Sequence, residues 1–286
     1  MLRFFQVDVF ASRPFTGNGL GVFPEASSLT AEQMLLLTQE LRQFECVFLT
    51  AGNGASIGAR IFTVDEELPF AGHPVLGAGA LLHHLSGSPA AAHWSLELSG
   101  GRRVEVDTLP RDGGFRAETR QGVASFGKAL EDAALLPALD LSLSDLVPSL
   151  PLQVVSTGLP YLVIPLVRGL ERARIVHRDF EALLARHGAK FVYLLDVAAS
   201  EGRTWDNRGA VEDVATGSAV GPAAAYLVAH GRATPGAWQT FSQGRFAGRA
   251  SELRAHVSLS GEVTVQGSAF VVAEGRWCRL PEPVFR

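Results

Sequence analysis

The sequence predicts an α+β chain of two similar lobes, and three observations lead there. Its 286 residues suit two medium-sized lobes better than one small domain. Short strand-like runs dominate, and only a few segments carry helical periodicity. Finally, the order of elements in the first half recurs in the second: strands, a helix, more strands, then a glycine-containing loop opening an Ala/Leu-rich helix. The two loops can be overlaid at an offset of about 144 residues, half the chain, as duplication of a whole lobe gives. The expected division is an N-terminal lobe over 1–120, completed by about 274–286, and a C-terminal lobe over 121–273.

Composition narrows the function classes. An apolar fraction of 47% and 30 glycines indicate a turn-rich globular chain. A net charge of -4, with both signs mixed along the chain, gives no footprint for nucleic acid or an acidic membrane. The most apolar stretch, Val154–Val167, is broken by Gly158, Pro160 and Pro165 and falls short of a membrane span. Asp8 interrupts any signal-like core at the N-terminus. Cys46 and Cys278 lack metal-ligand spacing, so a reduced, cytoplasmic setting is expected.

In the first half, Phe4–Phe10 reads as the first strand, Pro14–Gly19 as a turn and Leu20–Phe23 as the second strand. Thr30 with Gln33 fits a capping box, opening a helix that carries Met34, Leu35, Leu37 and Leu41 inward. Phe44–Leu49 is a strand with a carboxylate, Glu45, inside an apolar run. Burial of the face shared with Val47 and Leu49 would raise the Glu45 pKa and make it a usable proton shuttle. The other reading, a Glu at a helix–strand junction facing water, has the general exposure of Glu in its favour. Ala59–Val64 is the next strand and runs into Asp65, Glu66 and Glu67. Then comes Phe70-Ala71-Gly72-His73-Pro74, ahead of an Ala/Leu-rich helix over Val75–Leu85. Pro74 suits the first helical position. Gly72 and His73 then stand at a helix N-terminus, where backbone N–H groups can hold an anion; a loop histidine satisfied by backbone is an equal alternative. His83 and His84 suit the negative end of that helix better than a metal. Trp94–Leu98 and Arg102–Val106 form a hairpin about Gly100-Gly101.

Gln121–Ser149 reads as a boundary segment with little β character and small helices at Lys128–Leu135 and Ser144–Val147. Strands resume at Leu152–Ser156, Tyr161–Val167, Ala173–Val176 and Phe191–Leu195, with a short helix at Asp179–His187 capped by Gly188. Ser156–Pro160 reads as a turn in preference to a binding loop. Glu212-Asp213-Val214-Ala215-Thr216-Gly217-Ser218 is the weaker counterpart of the first motif, followed by a helix at Ala223–His230. Strands at Thr240–Ser242, Arg254–Leu259, Val263–Gln266, Ala269–Ala273 and Trp277–Leu280 close the chain. Two lobes related by a pseudo-dyad would point two helix N-termini into one cleft, a pair suited to gripping a carboxylate and stabilising negative charge on a reacting centre.

Taken in order, these segments resemble the PhzF-like phenazine-biosynthesis family, whose fold is shared with diaminopimelate epimerase. The resemblance rests on Gln6–Phe10 with Phe15–Asn18, on Glu45 before its apolar strand, and on Arg60–Thr63 through Glu67–Pro74. Ser156–Val163, Glu212–Ala219, and Gln243-Gly244 with Gly248-Arg249 add to it. It implies two lobes, each a mixed β-barrel-like sheet around a central helix, with the active site between them. It implies no metal, no organic cofactor, and a homodimer acting on a small-molecule carboxylate. The expected activity is a cofactor-independent isomerase that moves a proton on a small cyclic carboxylic acid. Glu45 would be the general acid/base, with His73 and Asp213 positioning the substrate and relaying protons. Asn18, Gly72, Thr216, Gly217 and Ser218 would bind substrate.

Several residues depart from the family pattern: Val214 after the aspartate, Val64-Asp65 in the turn, Phe44 and Cys46 beside Glu45, and the segment Arg203–Gly209. They lie near the expected cleft, so the substrate need not be the family's best-known one. A sister chemistry on this fold, two-thiol amino-acid epimerisation, needs a cysteine at each helix N-terminus. The overlaid positions here are Ala71 and Ala215, which disfavours it. A binding or scaffold protein of the same fold is the remaining alternative.

Overall fold

The computed structural model describes residues 1–130 and 135–282. The chain divides into two compact units, one made of Met1–Arg120 with the chain from Gln266 onward, the other of Gln121–Val265.

The first unit contains β1 (Leu2–Val9), β2 (Asn18–Phe23), α1 (Ala31–Leu41), β3 (Glu45–Ala51), β4 (Ile57–Phe62) and the two-residue β5 (Glu67–Leu68). There follow α2 (Gly72–Ser86), β6 (Ala92–Leu98), β7 (Arg103–Arg111) and β8 (Gly114–Val123). Eight strands run in the order β1-β2-β3-β4-β6-β7-β8 and then β16 (Glu262–Trp277), with β5 off the path beside β4. Antiparallel pairing of β1 with β16, from Leu2↔Trp277 to Val9↔Ala269, closes the ring. Closure removes the unpaired edges that an open sheet would present.

α2 packs against β1, β2, β3, β6 and β7, and every residue from Gly72 to Leu81 is buried. A helix apolar all round belongs inside, as here. Glycines admit it. A Cβ on Gly79 would lie 2.6 Å from Val106 Cγ1, and one on Gly77 would lie 2.9 Å from Val9 Cγ2 and closer still to Leu20. α1 lies outside the ring. Its capping box is formed, with Gln33 N donating to Thr30 Oγ1 at 3.2 Å and Thr30 N to Gln33 Oε1 at 3.1 Å. Met34 and Leu37 pack with Phe23, Cys46, Phe48 and Phe62 in a separate core.

The second unit repeats the plan with β9 (Ser125–Leu130), β10 (Leu152–Ser156), β11 (Pro160–Leu166), α3 (Phe180–Ala185), β12 (Phe191–Asp196) and β13 (Glu201–Arg203). α4 (Gly217–Ala229), β14 (Trp238–Gln243) and β15 (Ser251–Val257) complete it. Its strand order is β16-β15-β14-β13-β12-β11-β10-β9, and α4 packs on β10, β11, β12 and β15. The other face of β11 and β12 is covered by Phe180 and Leu184 of α3, in a core with Leu162, Ile164, Val192, Leu194 and Trp205. Both sheets are mixed: β2–β3, β4–β6, β11–β12 and β13–β14 are parallel pairs. Among the described residues no helix is long and apolar enough to cross a membrane.

Several expected elements differ. The stretch from Gln121 is strand, not helical boundary, through β8 and β9, because Phe126, Ala129 and Leu130 pair with Val155, Gln153 and Leu152. That pairing outweighs the helix propensity of Lys128–Leu130; the remainder of the helix expected at Lys128–Leu135 falls largely on 131–134, outside the described residues. At Ser144–Val147 there is only a 3₁₀ turn over Leu143–Asp145. Ala173–Val176 is irregular, its amides bonding Leu139 O and Ala138 O through Arg174 and Val176. The three closing strands from Val263 to Leu280 are one strand ending at Trp277. Gly267 does not break it; the Phe10 ring occupies the place of its Cβ. Both central helices start earlier than expected, α2 at Gly72 and α4 at Gly217, and α4 runs through Pro222.

Candidate active site

In the first unit the turn before β2 positions Asn18. Asp8 Oδ2 accepts from Phe15 N at 2.7 Å, and Gly17 has φ +71° with Ala11 N 2.8 Å from where a Cβ would stand. A side chain at Gly17 would not fit. Parallel pairing of Leu20 with Glu45 then sets Asn18 beside the start of β3. Glu45 is 6% exposed and His73 4%, so the water-facing reading of Glu45 does not hold in the structure. His73 is the second residue of α2 and its Nδ1 lies 3.0 Å from Glu45 Oε2. Asn18 Nδ2 lies 3.4 Å from the same nitrogen. His73 Nε2 is buried and has no hydrogen-bond partner among the described residues. The N-cap of α2, Ala71, has no side chain to cap the first turn, so the backbone there keeps donors for a ligand.

The neighbouring acids have a different role. Arg60 grips Glu67 with Nε–Oε1 at 2.8 Å and Nη2–Oε2 at 2.5 Å, and Ser99 also donates to it. The Arg60 guanidinium holds the Glu67 carboxyl below the usual carboxylate range, so Glu67 stays ionised and acts as a strut. His83 lies in the last turn of α2, as expected, and is buried there, with Nδ1 2.7 Å from Thr108 Oγ1 and Nε2 3.0 Å from the Ser88 carbonyl.

In the second unit Asp213, Thr216, Gly217 and Ser218 come together at the start of α4, and all are buried. Asp213 Oδ2 accepts from Thr216 Oγ1 at 2.5 Å, and its Oδ1 from Ala215 N at 3.3 Å. Gln243 Nε2 donates to the Asp213 carbonyl at 2.8 Å and to Thr216 Oγ1 at 2.9 Å. Ser218 Oγ shares a hydrogen bond with Tyr161 OH at 2.8 Å. Gln121 Nε2 donates to Gly217 O at 3.0 Å and is itself held by Thr157 Oγ1 at 2.9 Å. Sequence reading did not single out Gln121. A lone glutamine on a strand gives no signal, although Thr157 in the Ser156–Pro160 loop and the bare backbone of Gly221, which leaves room for the Gln121 amide, are traces of it.

The two helices also correct the overlay of the motifs. Their caps are Ala71 and Thr216 and their first residues Gly72 and Gly217, an offset of 217 less 72, which is 145. Thr216, not Ala215, therefore matches Ala71. Neither is a cysteine; Cys46 is buried in the α1 core and Cys278 is exposed.

The chain is similar to known proteins over nearly all of its length. A family model described as phenazine biosynthesis-like protein, PhzC-PhzF, matches residues 7–275. The uncharacterized isomerase YddE of Escherichia coli K12 is 31% identical over 293 residues, covering 96% of this chain and 97% of that protein. The trans-2,3-dihydro-3-hydroxyanthranilate isomerase of Pseudomonas fluorescens is 32% identical over 288 residues, covering 96% and 99%. The solved structure of a predicted epimerase from Pseudomonas aeruginosa superposes with a TM-score of 0.92 at 49% identity, over 98% of this chain and 100% of that one. A probable proline racemase from Agrobacterium radiobacter, 16% identical with a TM-score of 0.64, shares the diaminopimelate epimerase-like fold. Matched over nearly all of its length and built on the same barrel-and-helix plan, the chain belongs to the phenazine biosynthesis-like PhzC-PhzF family and is an isomerase.

Proposed function

We propose that this isomerase moves a proton between carbons of a small cyclic carboxylic acid, with Glu45 as the general acid/base. The observation that carries the reading is the buried Glu45–His73 pair at the start of α2, with His73 Nε2 unpaired among the described residues. The Glu45 carboxylate takes a proton from one ring carbon, and the electrons shift along the conjugated system toward the substrate carboxyl. While it is held on Glu45 the proton exchanges with solvent, and one proton is returned to a second carbon, so the reaction needs no net proton and no step calls for a metal or an organic cofactor. His73, tied through Nδ1 to Glu45, fixes the carboxylate and shares its proton, while Nε2 is available to a substrate oxygen. Negative charge developing on the substrate is stabilised by first-turn N–H groups, which cost no reorganisation at the moment of reaction. Within the first unit Asn18 and Gly72 are assigned to substrate binding; within the second, Thr216, Gly217 and Ser218 are assigned to binding and Asp213 to holding substrate and relaying protons. The substrate named for the Pseudomonas relative, trans-2,3-dihydro-3-hydroxyanthranilate, is of this class.

The test is solvent-label exchange. The protein is incubated in deuterated water with a panel of cyclic dienoic and β-hydroxy acids that includes trans-2,3-dihydro-3-hydroxyanthranilate, and label is followed by NMR. Incorporation is expected to fall by about 10²–10⁴ in Glu45→Gln, the usual contribution of a positioned acid/base, with the unfolding midpoint little changed. Equal incorporation by the variant removes Glu45 from the chemistry, and a panel on which the parent does nothing removes the substrate class.

A further inference from the structure

The chain carries two adjacent carboxylates, Glu212 and Asp213, at the entrance to α4. We propose that Arg203 is a positioning residue, a register lock that decides which of the two faces that helix. The proposal rests on the binding role given to Asp213 above.

The faces follow from strand parity. Leu162, Ile164, Val192, Leu194 and Trp205 belong to the core beneath α3. Leu194 pairs with Arg203, which puts Arg203 on that same face, with Trp205 two residues on. Tyr161, of opposite parity, reaches Ser218 on α4 instead. Beyond Arg203 the chain turns and comes back, with Asp206 N bonded to Val211 O at 3.0 Å and Trp205 bridged to Glu212. Asp213 N bonds Thr204 O at 3.0 Å. In this register Glu212 shares the α3 face with Arg203 and Trp205, while Asp213 turns to Ala215 and Thr216. A slip of one residue would exchange the two acids, because each step along a strand reverses the face.

Arg203 is built to forbid that slip. Its Nε and Nη2 grip Glu212 Oε1 and Oε2 at 2.9 and 2.7 Å, a two-point contact that a single-charge donor does not reproduce. Its Nη1 donates to the carbonyls of Leu170, Glu171 and Ala173 at 2.6, 3.2 and 3.1 Å. The guanidinium lies over the rings of Trp205 and Phe246, 4.6 and 4.3 Å from their centroids. Every side of Arg203 is thus fixed before it meets an acid, and its fork has room for one carboxylate. Buried ion pairs add little stability over apolar residues of similar volume, and specifying register is their best-attested use.

The test separates lock from strut. Replacing both partners by apolar residues, Arg203→Met with Glu212→Leu, should leave a folded protein whose midpoint lies within a few degrees of the parent. Amide exchange at Asp213 and Ala215 is then expected to accelerate by about tenfold or more while β11 and β12 keep their protection. For any acid of the panel that the parent exchanges, KM should rise about tenfold with kcat less affected, since Glu45 is untouched. Unchanged protection at Asp213 and Ala215 overturns the proposal. If the double variant does not fold, Arg203→Lys, which keeps the charge and loses the fork, is read in the same way. If neither folds, the pair is a stabilising device and the lock is wrong. The exchange measurement uses no substrate, so it decides the lock independently of the role of Asp213 in the reaction.

Discussion

Glu45 and Cys46 are neighbours on one strand with opposite surroundings. Glu45 meets a histidine, whereas Cys46 lies among Phe23, Met34 and Leu37, where burial pushes its thiol up to about 12 and keeps it protonated. A thiol in that state is a packing group and not a nucleophile. Tyr193 in the second unit poses a related problem. Its hydroxyl is buried with no partner among the described residues, and burial, reinforced by the charge of Asp213, raises its pKa and holds it neutral. The phenol lies over Gly202, where any side chain would collide with it. An unpaired buried hydroxyl costs about 1–3 kcal/mol, a cost that a phenyl ring in the same place does not carry. Tyr193→Phe is therefore expected to raise stability by about 1 kcal/mol, measured as a higher midpoint in urea at unchanged slope. A midpoint lowered by a similar amount would show that an ordered water pairs with the hydroxyl.

The central helices show how packing overrides propensity at the level of the element. Alanine is normally worth about 1 kcal/mol over glycine inside a helix. At Gly77 of α2, however, a Cβ would press on Leu20 and come within 2.9 Å of Val9, both on strands that the helix faces. Overpacking a well-filled core costs about 1–3 kcal/mol, so Gly77→Ala is expected to lose stability on balance, by up to about 2 kcal/mol in denaturant unfolding. A gain in stability would mean that β1 and β2 yield to the helix. The same packing explains what could be read in advance. Thr30 and Gln33 announced α1 because a capping box is local, and Gly72-His73-Pro74 announced α2 because a helix start has local chemistry. The burial of Glu45 was not local. All of the first five residues of β3 are buried, since α2 covers one face of the strand and α1 the other, so alternation along it held no answer. The α4 start was hidden by Pro222, which reads as a break in any window too short to see that the helix is enclosed. Ala173–Val176 looked like a strand from composition, yet its carbonyl at Ala173 belongs to Arg203, thirty residues away in sequence.

At the scale of the whole molecule, the first unit depends on residues from the far end of the chain. β16 begins in the second unit and ends by pairing Ala269–Trp277 with Val9–Leu2, so the ring closes only when the last strand is in place. Eight paired positions join β1 to it. At roughly 0.5–1.5 kcal/mol of net stability per hydrogen bond, that seam is comparable to the whole stability of an ordinary domain, about 5–15 kcal/mol. A chain ending at residue 265 keeps all of Gln121–Val265 but leaves β1 and β8 without their shared neighbour. In such a fragment amide protection in β1 and β2 is expected to collapse while β10, β11 and β12 stay protected, and the exposed edges should make it prone to association. A peptide of residues 266–282 added in trans should restore protection in β1, because register there is set by the pairing itself and not by a turn. If β1 in the fragment keeps parental protection without the peptide, ring closure is not what holds the first unit, and its stability must reside in the packing of β1 and β2 on α2 alone.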